Sequence, residues 1–276
     1  MGDRGPQGDR VSRPGQAAIV ARLRPPTGVE RSIHAKLRKT YVGWLRREFL
    51  AALRRQGVTD AVEDPSPRMR ALAALAEVRA KLQRDPPAMP DLDPDGAIIV
   101  TRANRAAIAA TRWAGGVPSV PVVSSAETAL RVAAWQVEAS GYIVALPREA
   151  IDRLERMMVQ KFTDGSRVET IARAFEEQLG VTDRHAMLLA RDQTAKLNAS
   201  TIRQDFATAG IDEYVWSTSD DERVREDHRV LDGTRQSWAD PPVADQRTGE
   251  RGHPGEVFQC RCVALPVAVA RGSARA

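Results

Sequence analysis

The spacing of apolar residues changes at Ile211, and this change divides the chain into a helical body and a smaller module with strands. Before Ile211, apolar residues recur at steps of three and four, as they do on one face of a helix. From Glu213 to Thr218, apolar and polar residues alternate, which is typical of a strand. The sequence therefore predicts an α+β fold that is mostly α, with a long helical body followed by a small, loop-rich C-terminal module that contains strands.

Breaking residues and caps divide the helical body into a series of predicted helices. In chain order they cover about residues 29–57, 67–83, 97–113, 127–140, 147–162, 166–180 and 183–209. Pro147 is expected to begin one helix and Gly180 to end another, as proline and glycine commonly do. Ser166 and Glu169 have the spacing of a capping box, which satisfies two backbone N–H groups at a helix start. A second strand is predicted over residues 257–263.

Charge is unevenly distributed along the 276 residues. Lys and Arg total 41 against 36 Asp and Glu, a net charge of +5, but residues 1–60 alone hold 13 basic and 5 acidic side chains. A basic region of this kind favours contact with nucleic acid or with an acidic protein face, and a merely solvated arm is the alternative. The candidates for DNA contact on the first long helix are Arg38, Lys39, Arg46, Arg47, Arg54 and Arg55.

Composition and turn residues predict five consecutive segments. They are a flexible basic arm (1–29), a helical N-terminal region (30–145), helices that lead into the C-terminal module (146–210), the module itself (211–266) and a frayed tail (267–276). No apolar run reaches the roughly 18 residues that a membrane-spanning helix needs, so no membrane partner is expected. The first residues also lack the apolar core of a signal peptide, which argues against secretion.

The C-terminal module contains a set of residues that could hold a metal ion. His228, His253, Cys260 and Cys262 offer the nitrogen and thiolate ligands of a tetrahedral structural zinc site, with the spacing H-x24-H-x6-C-x-C. A small module with little apolar material gains stability from such a metal. The spacing leaves two alternatives open: free buried thiols beside hydrogen-bonded core histidines, and a strained disulfide between the two cysteines.

An enzymatic function is the alternative to a structural one. In it, His228 acts as a general base beside a zinc or magnesium ion held by Asp221, Asp232 or His253, as in a metal-dependent hydrolase or nuclease. The mixture of acidic and arginine side chains over 220–225 favours instead a salt-bridged structural element. The motifs G-x-x-x-x-G-K-[ST], G-x-S-x-G and H-E-x-x-H are all absent. We therefore predict that the chain is not an enzyme and has no catalytic residues.

A series of short motifs occurs in a distinctive order. The motifs are Ala190-Arg191-Asp192-Gln193-Thr194, Tyr214-Val215-Trp216, Asp221-Glu222-Arg223-Val224-Arg225, Leu231-Asp232-Gly233, Pro254-Gly255 and Cys260-Arg261-Cys262. Their order and spacing over about residues 150–266 resemble the phage Mu F-like head morphogenesis family, the minor head proteins of tailed bacteriophages. The residues that carry the structural motif are Trp216, Asp221, Arg223, Arg225, Asp232, Gly233, Pro254 and Gly255.

The resemblance implies a role in the phage head. Such proteins are low-copy components that associate with the portal and with capsid or scaffold proteins during procapsid assembly, and some affect DNA packaging or ejection. The expected location is the virion, in the head interior or at the portal vertex, and the host cytoplasm during assembly. A third interpretation is a nonspecific DNA-binding protein whose function lies in residues 1–60, with phosphate-driven, salt-sensitive contacts.

Overall fold

A computed structural model describes residues 14–57, 66–163 and 168–267 of the chain. Most of these residues are helical, and the short strands are antiparallel and lie in the C-terminal part, which confirms the predicted α+β class. The helices are α1 (Gln16–Leu23), α2 (Val29–Leu37), α3 (Gly43–Arg55), α4 (Ser66–Arg84), α5 (Asp93–Ala114), α6 (Ser125–Thr163), α7 (Val168–Thr208) and α8 (Glu226–Leu231). The strands are β1 (Glu213–Ser217), β2 (Arg235–Ser237), β3 (Val243–Asp245), β4 (Glu250–Arg251) and β5 (Val263–Pro266).

The chain forms two compact units, and each is built from separate stretches of sequence. Unit 1 comprises Met1–Val29, Asp95–Ala133 and Asp192–Ala276, and unit 2 comprises Glu30–Pro94 and Ala134–Arg191. The segment boundaries predicted after residues 145 and 210 do not coincide with the boundaries of these units. None of the described helices combines the length and the apolar character needed to cross a membrane.

Unit 2 is a helical bundle. A one-turn π-helix, Arg38–Val42, joins α2 to α3, so the first predicted long helix is present with an irregular turn in its middle. The rings of Phe49 and Phe175 lie 4.3 Å apart, centroid to centroid. The side chains that complete this core come from α3, α4, α6 and α7, and include Trp44, Leu45, Leu75, Val78, Ile151, Leu154 and Leu179.

Two predicted helix boundaries are wrong. Pro147 lies inside α6, which joins the predicted helices 127–140 and 147–162, and Gly180 lies inside α7. The cost is about 3 kcal/mol for an interior proline and about 1 kcal/mol for an interior glycine. Buried residues at helical spacing continue across both positions, so packing outweighs these costs; they are Ile143, Leu146, Ala150, Ile151 and Leu154 on α6, and Phe175, Leu179, Thr182 and Ala186 on α7.

The prediction of a flexible arm is wrong over α1. Its Ile19, Val20 and Leu23 are buried in a core cluster of unit 1. The short apolar patch is therefore sufficient to hold the segment in place, because it removes three apolar side chains from water. Residues 1–13, Ser166 and the Glu169 side chain of the predicted capping box, and the predicted tail beyond residue 267 lie outside the described part of the chain.

The three-stranded sheet of unit 1 separates two clusters of buried side chains. Its order is β2-β1-β5, and Trp216 of β1 lies opposite Ala264 of β5. Because strand residues alternate between faces, Tyr214 and Trp216 point into the cluster that contains both cysteines. Val215 and Leu265 belong to the other cluster, with α1, α5 and the end of α7.

A buried ion pair stabilises unit 1 away from the sheet. The Arg131 guanidinium donates to Asp205 Oδ1 at 2.7 Å, and the two side chains are 9% and 2% exposed. Asn104 Nδ2 donates to Asp205 Oδ2 at 2.9 Å and also to the Pro121 carbonyl. The network therefore joins α5, α6 and α7 with the loop between α5 and α6.

Candidate metal centre

Three of the four predicted zinc ligands meet in the interior of the C-terminal module. His228 Nδ1 lies 3.4 Å from Cys262 Sγ and 3.7 Å from Cys260 Sγ. All three ligand atoms lie within 4.8 Å of one another, and each residue is at most 5% exposed. Two sulfurs and one imidazole nitrogen at these separations form a donor set for a borderline or soft cation.

The two cysteines lie on the loop that leads into β5. This corrects the prediction of a strand over residues 257–263, of which only Val263 is in β5. Gln259 has a φ of 56° and the Cys260 N–H donates to the Val257 carbonyl at 3.0 Å, so the backbone turns here. Arg261, between the cysteines, points outward and makes a two-bonded ion pair with Asp221, with both distances 2.6 Å.

A tight turn at Pro254 and Gly255 faces the first cysteine. The Gly255 N–H donates to Cys260 Sγ at 3.3 Å, and Gly255 has a φ of 85°. A Cβ atom at this position would lie 2.7 Å from the Cβ of Ala199 on α7. Only glycine fits both the conformation and the space, so the backbone N–H can reach the sulfur.

Two further side chains anchor the cysteine loop from outside. Asp192 on α7 accepts the Gln259 N–H at 2.9 Å, and Arg225 donates to the Phe258 carbonyl at 2.6 Å. Asp192 had no predicted role in the site, although it belongs to the motif over 190–194. The folded structure buries this carboxylate, 2% exposed, and the sequence carries no signal for it.

The other motif residues support the strand and the helix beside the cluster. Asp232 accepts the Thr218 N–H at 2.8 Å, and the Gly233 N–H donates to the Trp216 carbonyl at 2.8 Å. The Trp216 ring contacts the His228 ring edge-on, with centroids 5.4 Å apart. These contacts fix the rotation of α8 and turn His228 toward the sulfurs.

The predicted ion pairing of this segment requires correction. Asp221 pairs with Arg261 rather than with the neighbouring arginines, and this ion pair is the main reason that the pKa of Asp221 is lowered. Arg225 bonds a carbonyl oxygen. The side chain of Arg223 is exposed and forms no ion pair with the residues that the structure describes. Sequence spacing alone could not show that the ion-pair partner of Asp221 lies 40 residues away in the chain.

The two thiols affect each other's protonation. The pKa of the Cys260 thiol is lowered well below its usual value, chiefly by a hydrogen bond from Cys262 and also by the adjacent His228. The pKa of Cys262 is raised by its hydrogen bond to Cys260 and by burial. The sulfurs are not bonded to each other, so the alternative of a strained disulfide is wrong.

His253, the fourth predicted ligand, lies apart from the cluster. Its Nδ1 forms a hydrogen bond with the Tyr214 hydroxyl at 2.9 Å, and its ring lies against Trp238 at 4.8 Å between centroids. Burial lowers its pKa, which favours the neutral imidazole. His253 is therefore a hydrogen-bonded core histidine. This agrees with the alternative in which the histidines are hydrogen-bonded core residues and not metal ligands.

The residues of the hydrolase alternative are not brought together. Among the described residues, His228, Cys260 and Cys262 form the only group of three or more His, Cys, Asp or Glu side chains close enough to share an ion. Asp221, Asp232 and His253 lie outside it. The cavity beside the two cysteines has a volume of about 10 Å³, which is room for about one water molecule.

The predicted DNA-contacting residues divide into two sets in unit 2. Arg46 pairs with Glu176 at 2.9 Å and Arg55 with Glu77 at 2.7 Å, so their charges are partly neutralised. The remaining four are exposed and form no ion pair with any residue in the described ranges. This exposed basic set consists of Arg38, Lys39, Arg47 and Arg54.

Comparison with known proteins agrees with the motif pattern. The family model described as "Phage Mu protein F like protein" matches residues 152–265. An uncharacterized protein of Haemophilus influenzae is 36% identical over 125 residues, which are 45% of this chain and 27% of that protein. This chain thus matches about a quarter of that relative's length, and no solved structure matches it. Over residues 152–265, which contain the candidate metal centre, the chain is similar to the Phage Mu protein F like family.

Proposed function

We propose that this chain is a minor structural protein of a tailed-phage head and that its C-terminal module, residues 211–266, binds the portal during head assembly. The family match carries this proposal, because it covers the module and the helices that lead into it. The family is one of phage head morphogenesis proteins. The proposal includes residence in the virion, at the portal vertex or in the head interior.

The geometry of the module supports a structural role rather than catalysis. The cluster of His228, Cys260 and Cys262 is buried, and the cavity beside it has no room for a substrate. An active site needs access for its substrate, and ligand pockets have volumes of several hundred Å³. The surrounding motif residues hold the loop in place by hydrogen bonds and an ion pair.

Binding to the portal can be tested by co-expression of the untagged chain with the tagged portal protein of the same phage. We expect the chain to co-purify at moderate salt. The module exposes Phe258, 52% accessible, whose backbone is fixed by Arg225. Phe258→Asp should lower the amount of chain recovered with the portal protein by roughly tenfold or more, since an aromatic side chain buried in an interface contributes about 2 kcal/mol to binding.

Val122→Asp is the matched control for this experiment. Val122 is more exposed than Phe258, at 81%, and lies outside the module. We expect it to leave co-purification unchanged. A chain that never co-purifies contradicts portal binding, and an equal loss with both variants contradicts the assignment of the interface to the module.

A second candidate activity is nonspecific contact with packaged DNA through the exposed basic set. Replacement of these four residues by glutamine should weaken binding to duplex DNA and flatten its dependence on salt. The slope of log K against log salt is negative, and each lost phosphate contact reduces its magnitude by about 0.9. Four lost contacts therefore reduce the magnitude by up to about 3.6. Fluorescence anisotropy over a salt series measures this slope.

Four other exposed arginines provide the control. Arg102, Arg105, Arg112 and Arg148 carry the same total charge and form no ion pair among the described residues. Their replacement by glutamine should leave the slope within about 1 of the wild type. An equal decrease with both sets would show that DNA binding depends on overall charge, and no decrease with the first set would contradict the assigned surface.

A further inference from the structure

We propose that His228, Cys260 and Cys262 bind one zinc ion, which links α8 to the cysteine loop and stabilises the module. This inference goes beyond the proposed role in the phage head and does not depend on it. The ion has a structural role, because all three residues are buried.

The distances between the ligand atoms agree with tetrahedral zinc. Zinc lies about 2.3 Å from a thiolate sulfur and about 2.05 Å from an imidazole nitrogen, so a tetrahedral angle separates nitrogen from sulfur by about 3.6 Å. The two observed separations, 3.4 Å and 3.7 Å from His228 Nδ1, lie on either side of this value. Both nitrogen–sulfur separations therefore fit tetrahedral zinc, and the two sulfurs lie within 4.8 Å of each other.

Burial of the three groups is difficult to explain without an ion. The only polar side-chain atoms that the described structure places against His228 Nδ1 are the two sulfurs, which are weak hydrogen-bond partners. Buried polar groups are normally satisfied. A cation between the nitrogen and the sulfurs would satisfy all three atoms at once.

The surroundings of the cluster match those of a zinc thiolate site. The Gly255 N–H donates to Cys260 Sγ, as backbone N–H groups do to a thiolate that carries negative charge. Asp192 and Arg225 hold the cysteine loop through its backbone, so the sulfurs are positioned before any ion binds. Thiolate and imidazole ligands favour zinc over magnesium or calcium, which prefer oxygen.

The donor set leaves one tetrahedral position. No other His, Cys, Asp or Glu of the described part of the chain belongs to the group. His253, the fourth ligand expected from the sequence, bonds Tyr214 instead and supplies the control for the experiment.

The test is metal analysis of the full chain purified without chelator, followed by Co²⁺ titration of the metal-free chain. We expect about one zinc per chain, and with Co²⁺ the near-ultraviolet charge-transfer band of thiolate coordination. His228→Asn should remove bound zinc and weaken that band. His253→Asn should keep both, because His253 is an equally buried histidine of the same module that is not a ligand.

Thermal unfolding separates loss of a ligand from loss of the fold. A chelator should lower the Tm of the wild type by roughly 10 °C or more, and added zinc should restore it. Zinc-free wild type that gives no thiolate band with Co²⁺ would overturn the proposal, whether or not the variants fold. Retention of zinc by His228→Asn, or equal loss from folded His253→Asn, would overturn the assigned ligand set.

Discussion

Gly255→Ala is expected to destabilise the chain by about 2–5 kcal/mol. The glycine has a φ of 85°, where a residue with a Cβ atom costs about 1–2 kcal/mol. The added methyl would lie 2.7 Å from Ala199 Cβ, which belongs to a helix and cannot rotate away. Overpacking of this kind costs about 1–3 kcal/mol more. Urea denaturation followed by tryptophan fluorescence measures the loss.

Two companion variants identify the cause. Gly233 in the same module has a φ of 76° but nothing within 4 Å of its added Cβ, so Gly233→Ala should show the conformational cost alone. Ala199→Gly removes the atom that the new methyl meets, so the double variant with Gly255→Ala should be less destabilised than the two single losses predict. Strict additivity of the losses would show that the close approach does not contribute.

Arg131→Met is expected to cost about 3–5 kcal/mol, because it leaves the Asp205 carboxylate buried without a cation. The double variant Arg131→Met with Asp205→Leu should recover most of this loss, since it removes both charges and keeps apolar volume. Both free energies of unfolding come from urea titrations. If the double variant were as unstable as the single one, the loss would come from packing and not from the unpaired charge.

The dependence of this loss on pH provides a further check. Burial raises the pKa of Asp205 above its ordinary value of 3.8, although Asn104 and Arg131 act against the rise. A carboxyl group with a raised folded-state pKa favours folding at pH values below its unfolded pKa, and this contribution is lost as pH rises through the folded pKa. The cost of Arg131→Met should therefore be smaller in acid, where Asp205 is protonated, than at neutral pH.

The sequence predicts the fold class well because the spacing of apolar residues along a helix or strand is a local property of the chain. The change at Ile211 marks the change from helix to sheet, and β1 lies within one residue of its expected range. The continuity of α6 through Pro147 was not predictable in the same way. It depends on burial of one stripe along the helix, which only the packed unit defines.

Of the four metal ligands predicted from residue type and spacing, the structure brings three together. Residue type and spacing could not separate His253 from the set, because both histidines are buried and lie in the same module. The distinction depends on the Tyr214 hydroxyl, which is 39 residues away in sequence and within hydrogen-bond distance in space. Likewise, the role of Asp192 depends on a backbone N–H of Gln259, and side-chain identity gives no sign of it.

Unit 1 is built from three separate stretches of sequence, and this affects when it can fold during synthesis on the ribosome. Ile19 and Leu23 pack in one core with Val263 and Leu265, so α1 must wait for nearly all of the chain before its apolar face is covered. Unit 2 needs no residue beyond 191 and can fold earlier, as domains commonly do during translation. A nascent chain released before β5 would therefore carry a folded unit 2 together with an exposed apolar α1, a substrate for chaperones and proteases.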